Sequence, residues 1–366
     1  MSQPSVGQLI LCGIPAPELD PATAKILREI QPGGFIIFTR NIKSATQLRQ
    51  LLDDLRALSQ IEPIITIDQE GGRVSRLREI GHEPPNAQQL REKGDIALIQ
   101  EHGKLTGQLL RLFGFNLNLC PVLDISTDDS ADNSLRGRCY GTAVKQTITF
   151  AGAFNDALRS QGILSCGKHF PGYSAAAVDP HWEMPSIQRT RQELEAFELK
   201  PYSELLQNLD SIMTCHAFYP SLEEGRLPAS LSKRVIDGLL RREMGYTGMI
   251  MTDDLDMGAI LNSFGLEDAL HLALEAGNDL LMICHQLHHL QQAASILERQ
   301  PHALLERAQA SIARFKSDIA PPAVFDETEF TAINERIWEL RLATLGEECA
   351  RQRSAEDGKR SPVEVY

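Results

Sequence analysis

Residues 168–185, KHFPGYSAAAVDPHWEMP, carry a lysine, two histidines and an aspartate in a segment with few hydrophobic anchors. Within this segment, Asp179 and His181 are separated by a single proline. Histidine exchanges protons near neutral pH because its unperturbed pKa is about 6.5, and a neighbouring carboxylate can fix its tautomer. The spacing therefore predicts an acid/base pair on a loop. The alternative is that Asp179 caps a turn and that His181 is merely exposed.

A second candidate is Asp253, in the sequence MIMTDDLDM, where an apolar run ends in an acidic cluster. An aspartate that follows a strand is often a helix N-cap, and Asp254 or Asp256 suits that role. The remaining carboxylate would then be available as a nucleophile, for example toward the anomeric carbon of a sugar. Asp253 is therefore predicted to be the reactive carboxylate.

Ionisable side chains also follow other apolar runs of the chain. They are Asp68, Asp124, Lys168 with His169, His216 and His285. Each has an ordinary explanation when taken alone, such as helix capping for Asp124. The active sites of α/β barrels, however, are built from residues at the C-terminal ends of the strands. The shared position of these side chains predicts that they converge on one face.

Two of these positions allow more than one chemistry. Lys168 could form a Schiff base if it is desolvated, but its acidic surroundings favour a charged lysine that donates hydrogen bonds to hydroxyl groups. His285, His288 and His289 have an i, i+3, i+4 spacing that can bind a metal. No carboxylate partner is evident beside them in the sequence, which favours a solvated helix start. We therefore predict neither a metal nor a cofactor.

The candidate residues lie in a regular alternation of apolar runs and amphipathic segments. Eight apolar runs begin at Val6, Gly33, Pro63, Asn116, Ile163, Ser211, Gly248 and Asp279. They are nearly continuous in Val, Ile, Leu and Cys, as in parallel strands buried on both faces, and helical patterns separate them. Eight such units predict an α/β fold, a (β/α)8 barrel. A doubly wound open sheet is the rival, but no GxGxxG turn follows the first strand.

The pattern changes after about residue 320, where PPAVFDETEF resembles a linker and a terminal helical pattern follows. We expect a catalytic barrel over residues 1–320 and a helical extension packed on it over residues 321–347. The tail, residues 348–366, has almost no apolar content and is expected to be poorly ordered.

The composition limits the possible partners. Among the 366 residues, 36 Lys and Arg stand against 49 Asp and Glu, and the net charge of −13 argues against nucleic acid or an anionic membrane as a partner. No apolar run approaches the ~20 residues needed to span a bilayer, and the N-terminus lacks the features of a signal peptide. Seven cysteines, most of them in apolar runs, are typical of a reducing compartment. We expect a cytoplasmic protein that is a monomer or a weak dimer.

Six sequence motifs, taken together, resemble a known family. GGFIIFTRN, DQEGGRV, KHFPG, DPH, PASLS and MTDDLDM occur in that order between about Val6 and about Cys284. They are similar to motifs of the family 3 glycoside hydrolases and, within that family, of the bacterial β-N-acetylglucosaminidases of peptidoglycan recycling. No single motif is specific, but the ordered set is.

The resemblance implies a (β/α)8 barrel and a retaining hydrolysis of terminal β-linked N-acetylglucosamine through a covalent glycosyl-enzyme. It implies that Asp253 is the nucleophile and that His181, paired with Asp179, is the acid/base. The sugar contacts that it implies are Asp68, Arg138, Lys168 and His169, with His216 at a less certain position near the sugar. A small-molecule glycan is the expected partner.

The sequence departs from the family pattern in three places. The family usually has KHFPGHG where this chain has Tyr173 and Ser174, and it usually has Asp-Ser-His where this chain has Pro180. The arginine motif commonly reads RSFG, whereas residues 138–141 read RCYG. Tyr173 affects the expected shape of the aglycone side, and so the natural substrate.

Three other functions remain open at this point. Another β-glycosidase of the same family, such as a β-glucosidase, would usually take a carboxylate acid/base from a second domain. A Schiff-base lyase or aldolase would use Lys168, and a non-catalytic sugar-binding barrel would not need an Asp-His pair.

Overall fold

The computed structural model describes residues 5–130, 133–174 and 184–354, and a closed barrel of eight parallel strands forms its centre. The strands of the described structure, in chain order, are β1 (Ile10–Gly13), β2 (Gly34–Ile37), β3 (Ile64–Ile67), β4 (Gln69–Gly71), β5 (Val74–Ser75), β6 (Leu117–Asn118), β7 (Leu164–Phe170), β8 (Ser211–Thr214), β9 (Met249–Asp254) and β10 (Leu280–Ile283). β4 and β5 form the antiparallel hairpin, and the other eight close the barrel in the order β1-β10-β9-β8-β7-β6-β3-β2. The predicted (β/α)8 barrel is confirmed, and the open sheet is excluded.

The barrel strands form at the predicted apolar runs. Every residue of β2, β3, β8 and β10 is buried. Successive side chains of a barrel strand point alternately into the barrel and outward to the helices. In these strands both sets of side chains are buried. This burial on two faces explains why the runs are continuous rather than alternating.

The shortest barrel strand, β6, has its pairing with β3 completed by two asparagine side chains. Asn116 accepts a hydrogen bond from the main-chain N–H of Ile65 at 2.8 Å and donates to the carbonyl of Pro63 at 2.9 Å. Asn118 accepts from the N–H of Gln69 and donates to its carbonyl, both at 3.1 Å. Each amide takes the place of a peptide group, so buried main-chain groups next to the short strand are satisfied.

Helices between the strands form the outer layer, as the sequence predicts, although the short helix Ala87–Lys93 was not predicted. They are α1 (Pro21–Ile30), α2 (Ala45–Leu58), α3 (Ala87–Lys93), α4 (Ile96–Phe113), α5 (Val144–Arg159), α6 (Arg191–Ala196), α7 (Leu199–Leu205), a π-helical segment Arg234–Glu243, α8 (Gly258–Ala276), α9 (Leu287–Leu297), α10 (His302–Ser317) and α11 (Glu327–Ala350). None of the helices in the described residues is long and apolar enough to cross a membrane.

Two helices differ from the sequence pattern. The helical pattern over residues 191–208 is divided between α6 and α7 because Phe197 leaves helical geometry at φ −127° and ψ −80°. The helical pattern that the sequence predicts at residues 266–276 corresponds to the second part of α8, which begins at Gly258 and bends at Gly265, where φ is +71°. Glycine adopts this left-handed conformation without steric cost, so the bend appears in the sequence only as one glycine.

The terminal helix α11 packs against the outside of the barrel. Asp326 caps its first turn by accepting the N–H of Thr328 at 2.7 Å. Phe330 meets Phe113 of α4, with ring centroids 5.5 Å apart. Arg341, near the end of the helix, is buried and donates to the carbonyl of Glu83 at 2.9 Å. The helix is thus held to the barrel by both apolar and polar contacts. Residues 355–366 of the predicted tail lie outside the described part of the chain.

Candidate active site

Several of the described candidate residues lie at the C-terminal ends of barrel strands, where barrel enzymes have their active sites. Asp68 directly follows β3, Lys168 and His169 are near the C-terminal end of β7, and Asp253 is near the end of β9. Arg138 comes from the segment between β6 and α5. The barrel therefore brings onto one face residues that are far apart in the chain.

Four charged side chains form a buried network, which we call the lysine side of the site: Asp68, Glu70, Arg138 and Lys168. The Lys168 ammonium lies 2.6 Å from Asp68 Oδ1 and 2.7 Å from Glu70 Oε1. Arg138 binds both oxygens of Glu70, through Nε and Nη2, each at 2.8 Å. A bidentate arginine–carboxylate pair fixes orientation as well as charge.

The network is held in its ionised form. Burial by itself raises the pKa of Glu70, but the charges of Arg138 and Lys168 outweigh it and hold that pKa well below its usual range. Burial alone lowers the pKa of Lys168, and the carboxylates of Asp68 and Glu70 outweigh this effect and raise the pKa above its usual value. A lysine must be neutral to attack a carbonyl carbon. The geometry therefore favours a hydrogen-bond donor at Lys168 over a Schiff-base nucleophile.

The orientation of His169 is fixed by Asp124. His169 Nδ1 lies 2.7 Å from Asp124 Oδ2, and the opposite ring nitrogen lies 3.5 Å from Arg138 Nη2. A guanidinium can only donate, so the Nε2 atom accepts and the Nδ1 proton points to Asp124. The other oxygen of Asp124 accepts the main-chain N–H of Tyr173 at 2.9 Å. Asp124 is thus an orienting partner of the KHFPG segment.

Three aspartates at the end of β9 form what we call the aspartate side: Asp253, Asp254 and Asp256. Asp253 is half-buried, whereas the other two are buried. One oxygen of Asp253 accepts the main-chain N–H of Asp254 at 2.8 Å. Asp253 is the most accessible of the three, in agreement with its predicted role as the reactive carboxylate.

The other two aspartates bind main-chain groups, though not those of the helix that follows them. Asp254 Oδ1 accepts the N–H groups of Asp256 at 3.0 Å and Cys284 at 3.1 Å. Asp256 Oδ2 accepts those of His285 and Gln286, at 3.0 and 3.1 Å. α8 itself begins at Gly258, and its N-cap residue, Met257, makes no side-chain hydrogen bond to the helix. The two carboxylates therefore tie the end of β9 to the loop after β10.

His216 is fully buried beneath this turn. Its Nε2 donates to the carbonyl of Asp254 at 2.9 Å, and its Nδ1 lies 2.7 Å from the hydroxyl of Ser230. Because both ring nitrogens have protein partners, the geometry favours support of the Asp254 main chain over direct contact with a sugar. The predicted sugar contact of His216 stays a prediction.

The histidines after β10 face carboxylates of the aspartate side. His285 Nε2 lies 3.3 Å from Asp254 Oδ2, and His289 Nδ1 lies 2.6 Å from Asp256 Oδ1. With side chains 12% and 15% exposed, His285 and His289 are not the solvated helix start that was expected, because carboxylates from a different strand end face them. Among the described residues, no group of three His, Cys, Asp or Glu side chains has an arrangement that could hold a metal ion.

Asp179 and His181 lie outside the described residues, so the predicted acid/base pair stays a prediction. The residue that the sequence analysis did not assign is Glu70, which links the two cations of the lysine side. A signal was available: Asp68 and Glu70 are two residues apart in an extended segment, and such residues point to the same side.

The chain is similar to a known protein family and to several of its members. The model of the glycosyl hydrolase family 3 N terminal domain matches residues 2–315. A β-hexosaminidase of Haemophilus influenzae is 31% identical over 312 residues, which cover 82% of this chain and 87% of that protein.

Solved structures show the same relationship. A glycoside hydrolase family 3 β-N-acetylglucosaminidase from Paenibacillus sp. is similar with a TM-score of 0.83 and 31% identity, over 92% of this chain and 68% of that one. Native NagZ from Neisseria gonorrhoeae has a TM-score of 0.78 and 25% identity, over 93% of this chain and 98% of that one. The chain therefore belongs to glycosyl hydrolase family 3 and groups with the β-hexosaminidases of that family.

Proposed function

We propose that the protein is a retaining exo-β-N-acetylglucosaminidase. Its substrates are peptidoglycan-derived muropeptides or related glycans, from which it removes a terminal β-linked N-acetylglucosamine. The observation that carries the proposal is the pairing of an accessible carboxylate, Asp253, with the buried charged network of the lysine side at one end of a family 3 barrel. The names of the similar proteins support the sugar.

The lysine side is suited to hold the hydroxyl groups of the terminal sugar. Asp68 offers acceptor oxygens, whereas Lys168 and Arg138 offer donors, and all three are held in place by Glu70 or by one another. We assign His169 to the same set because Asp124 fixes its ring. Because the groups are already oriented, binding does not require them to reorganise.

The proposed reaction has two displacements at the anomeric carbon. In the first, an oxygen of Asp253 forms a bond to that carbon while the glycosidic bond breaks, and the departing oxygen takes a proton from His181. In the second, His181 takes a proton from water, the water oxygen attacks the same carbon, and Asp253 is released as a carboxylate. Two inversions give net retention. Asp179 orients the imidazole and stabilises its protonated form.

The main rival is another β-glycosidase of the family, such as a β-glucosidase. The deciding experiment compares 4-nitrophenyl β-N-acetylglucosaminide with the corresponding β-glucoside at equal enzyme concentration. We expect much faster cleavage of the acetamido sugar, and equal rates would overturn the assignment. Borohydride trapping with a carbonyl substrate tests the Schiff-base alternative, and absence of any cleavage would leave a sugar-binding barrel.

We also propose a cytoplasmic location and a monomer or weak dimer. Support for the location comes from the cysteines: all seven are free thiols and six of them are buried. Thiols persist in reducing compartments, whereas secreted proteins usually pair them. Cell fractionation tests the location and light scattering tests the assembly. Residues 1–320 are proposed as the catalytic unit, with residues 321–347 as its helical extension.

A further inference from the structure

His285 occupies a position beside the aspartate side that no predicted role explains. It lies two residues past β10, next to the end of β9, and its side chain is only 12% exposed. Its Nε2 atom is 3.3 Å from Asp254 Oδ2. His285 therefore contacts the residue next to Asp253, and Asp253 is the carboxylate that attacks the sugar in the proposed function.

The contact with Arg40 indicates the tautomer of the His285 ring. Arg40 Nη1 lies 3.3 Å from His285 Nδ1, and a guanidinium can only donate. His285 Nδ1 is therefore the acceptor, and in the neutral ring the proton is on Nε2, facing Asp254. Arg40 is itself anchored, by a 2.8 Å bond to the carbonyl of Cys284 and by its position over the ring of Phe38 at 4.4 Å.

Asp254 connects this ring to the nucleophile. Its Oδ1 accepts two main-chain N–H groups, while its Oδ2 faces His285. Its own N–H donates to Asp253 Oδ1 at 2.8 Å, and its carbonyl accepts from His216 at 2.9 Å. Burial, followed by the charges of Asp256 and Asp253, raises the pKa of Asp254 well above its usual value. The 3.3 Å contact between Oδ2 and His285 Nε2 is at ion-pair distance but outside hydrogen-bond geometry, so the histidine ring restrains Asp254 as a close neighbour.

We propose that His285, oriented by Arg40, is a positioning residue that fixes Asp254 and thereby aims the carboxylate of Asp253 at the anomeric carbon. This inference rests on the proposed function, because it presupposes that Asp253 is the nucleophile. An acid/base residue matters in proportion to how poorly the aglycone leaves, whereas a misdirected nucleophile slows attack with every aglycone. A displacement of about 1 Å can cost roughly 100-fold in rate.

The test compares His285→Phe with His285→Gln. Phenylalanine keeps a ring against Phe38, whose centroid is 5.1 Å from that of His285, but it has no polar atom to face Asp254 Oδ2. Glutamine carries an N–H donor at a similar distance from the main chain. We expect the Phe variant to lose roughly 10- to 100-fold in the glycosylation rate constant with both a dinitrophenyl glycoside and a disaccharide, with little change in KM. The Gln variant should recover most of the rate.

His289→Phe is the matched control, since His289 faces Asp256 instead of Asp254. Its glycosylation rate should remain close to that of the wild type. An equal loss in this control, no rescue by Gln, or a loss in His285→Phe confined to the poor leaving group would overturn the inference. If His285→Phe does not fold, as judged by circular dichroism, Arg40→Met tests the same chain of contacts and should show the same loss with both leaving groups.

Failure of this inference can be distinguished from failure of the proposed function. Wild-type protein is first labelled with a 5-fluoro glycosyl inhibitor and mapped by peptide mass spectrometry. A label away from Asp253 overturns the nucleophile assignment itself. A label on Asp253 that forms as fast in His285→Phe as in the wild type overturns only the positioning role.

Discussion

The lysine side and the aspartate side of the barrel mouth hold their charges by different means. On the lysine side, two carboxylates alternate with two cations at 2.6–2.8 Å, and all four side chains are buried. On the aspartate side, three carboxylates fall within four residues, and main-chain N–H groups and histidines are among their partners.

We relate this difference to two functions: the lysine side binds the sugar, and the aspartate side supplies the nucleophile. Opposite charges that neutralise one another keep the lysine side ionised and rigid, as the lowered pKa of Glu70 and the raised pKa of Lys168 indicate. Main-chain N–H groups orient the three aspartates, and burial together with the neighbouring carboxylates raises the pKa of Asp254. A nucleophile needs its negative charge directed at the substrate and not compensated by a bound cation.

The largest expected effect is on the aspartate side. Asp253→Ala should lower kcat by about 10⁴-fold or more, because losses on this scale follow removal of a covalent nucleophile. The melting temperature should change little, since the half-buried side chain serves the reaction and not the core. Steady-state kinetics and thermal unfolding measure the two effects. A covalent label on Asp254, Asp124 or Glu70 in the wild type would contradict the assignment.

The next effect tests the loop that carries the predicted acid/base. His181→Ala should lower activity on a disaccharide by about 10²–10⁴-fold, as is usual for general acid–base catalysis, and should lower it far less in the glycosylation step with a dinitrophenyl glycoside. Asp179→Asn should give a smaller loss and move the pH profile downward, because the imidazolium loses its anionic partner. An equal loss with both leaving groups would indicate that His181 positions the substrate.

A smaller effect is expected on the lysine side. Glu70→Gln leaves two buried cations with one carboxylate fewer, and breaking a buried ion pair costs about 3–5 kcal/mol of stability. Misplacement of a charged donor worth ~1.5–3 kcal/mol should also reduce kcat/KM by roughly 10- to 150-fold. Glu92→Gln on the exposed surface of α3 is the matched control and should resemble the wild type. Urea unfolding and kinetics measure both losses.

The difference in stability between the wild type and Glu70→Gln should depend on pH. Folding lowers the pKa of Glu70, so its contribution to stability is complete above about pH 5 and is lost as the pH falls below ~4.3 toward the folded-state value. The difference in unfolding free energy between wild type and Glu70→Gln should therefore be largest near neutral pH and should shrink in acid. A constant difference down to pH 3 would contradict an ionic role for Glu70.

The smallest effect concerns Tyr173, where the chain departs from its family. The Tyr173 ring packs on His169, with centroids 4.8 Å apart, and its hydroxyl is 3.5 Å from that of Ser134. A hydrogen bond this long contributes little, so Tyr173→Phe should change kcat/KM by less than about threefold. Tyr173→His, the residue usual in the family, should alter the preference between aglycones more than the rate on an aryl glycoside. Unchanged aglycone preference in Tyr173→His would remove Tyr173 from the determinants of specificity.

Much of the fold was predictable because barrel strands buried on two faces have an unmistakable composition. The convergence of Asp68, Lys168 and Asp253 followed from the rule that strand ends of one barrel meet on one face. The sequence could not reveal that Glu70 bridges two cations or that His285 faces Asp254, because such contacts depend on side-chain directions across neighbouring strands. The part of α8 before Gly265 was missed because its glycine, asparagine and serine residues are also typical of turns.

The side-chain amide of Asn118 binds the main chain of Gln69, the residue between Asp68 and Glu70. Both main-chain groups of Gln69 are taken by Asn118, and its side chain reaches Ser75 and the N–H of Leu77. The main chain between Asp68 and Glu70 is therefore hydrogen-bonded to β6 of the barrel, and the Gln69 side chain in turn holds Ser75 and Leu77. We expect insertions and deletions beyond Leu77 to be tolerated without moving Asp68 or Glu70. New glycan preferences could then arise by exchange of outer loops around a sugar platform that stays in place.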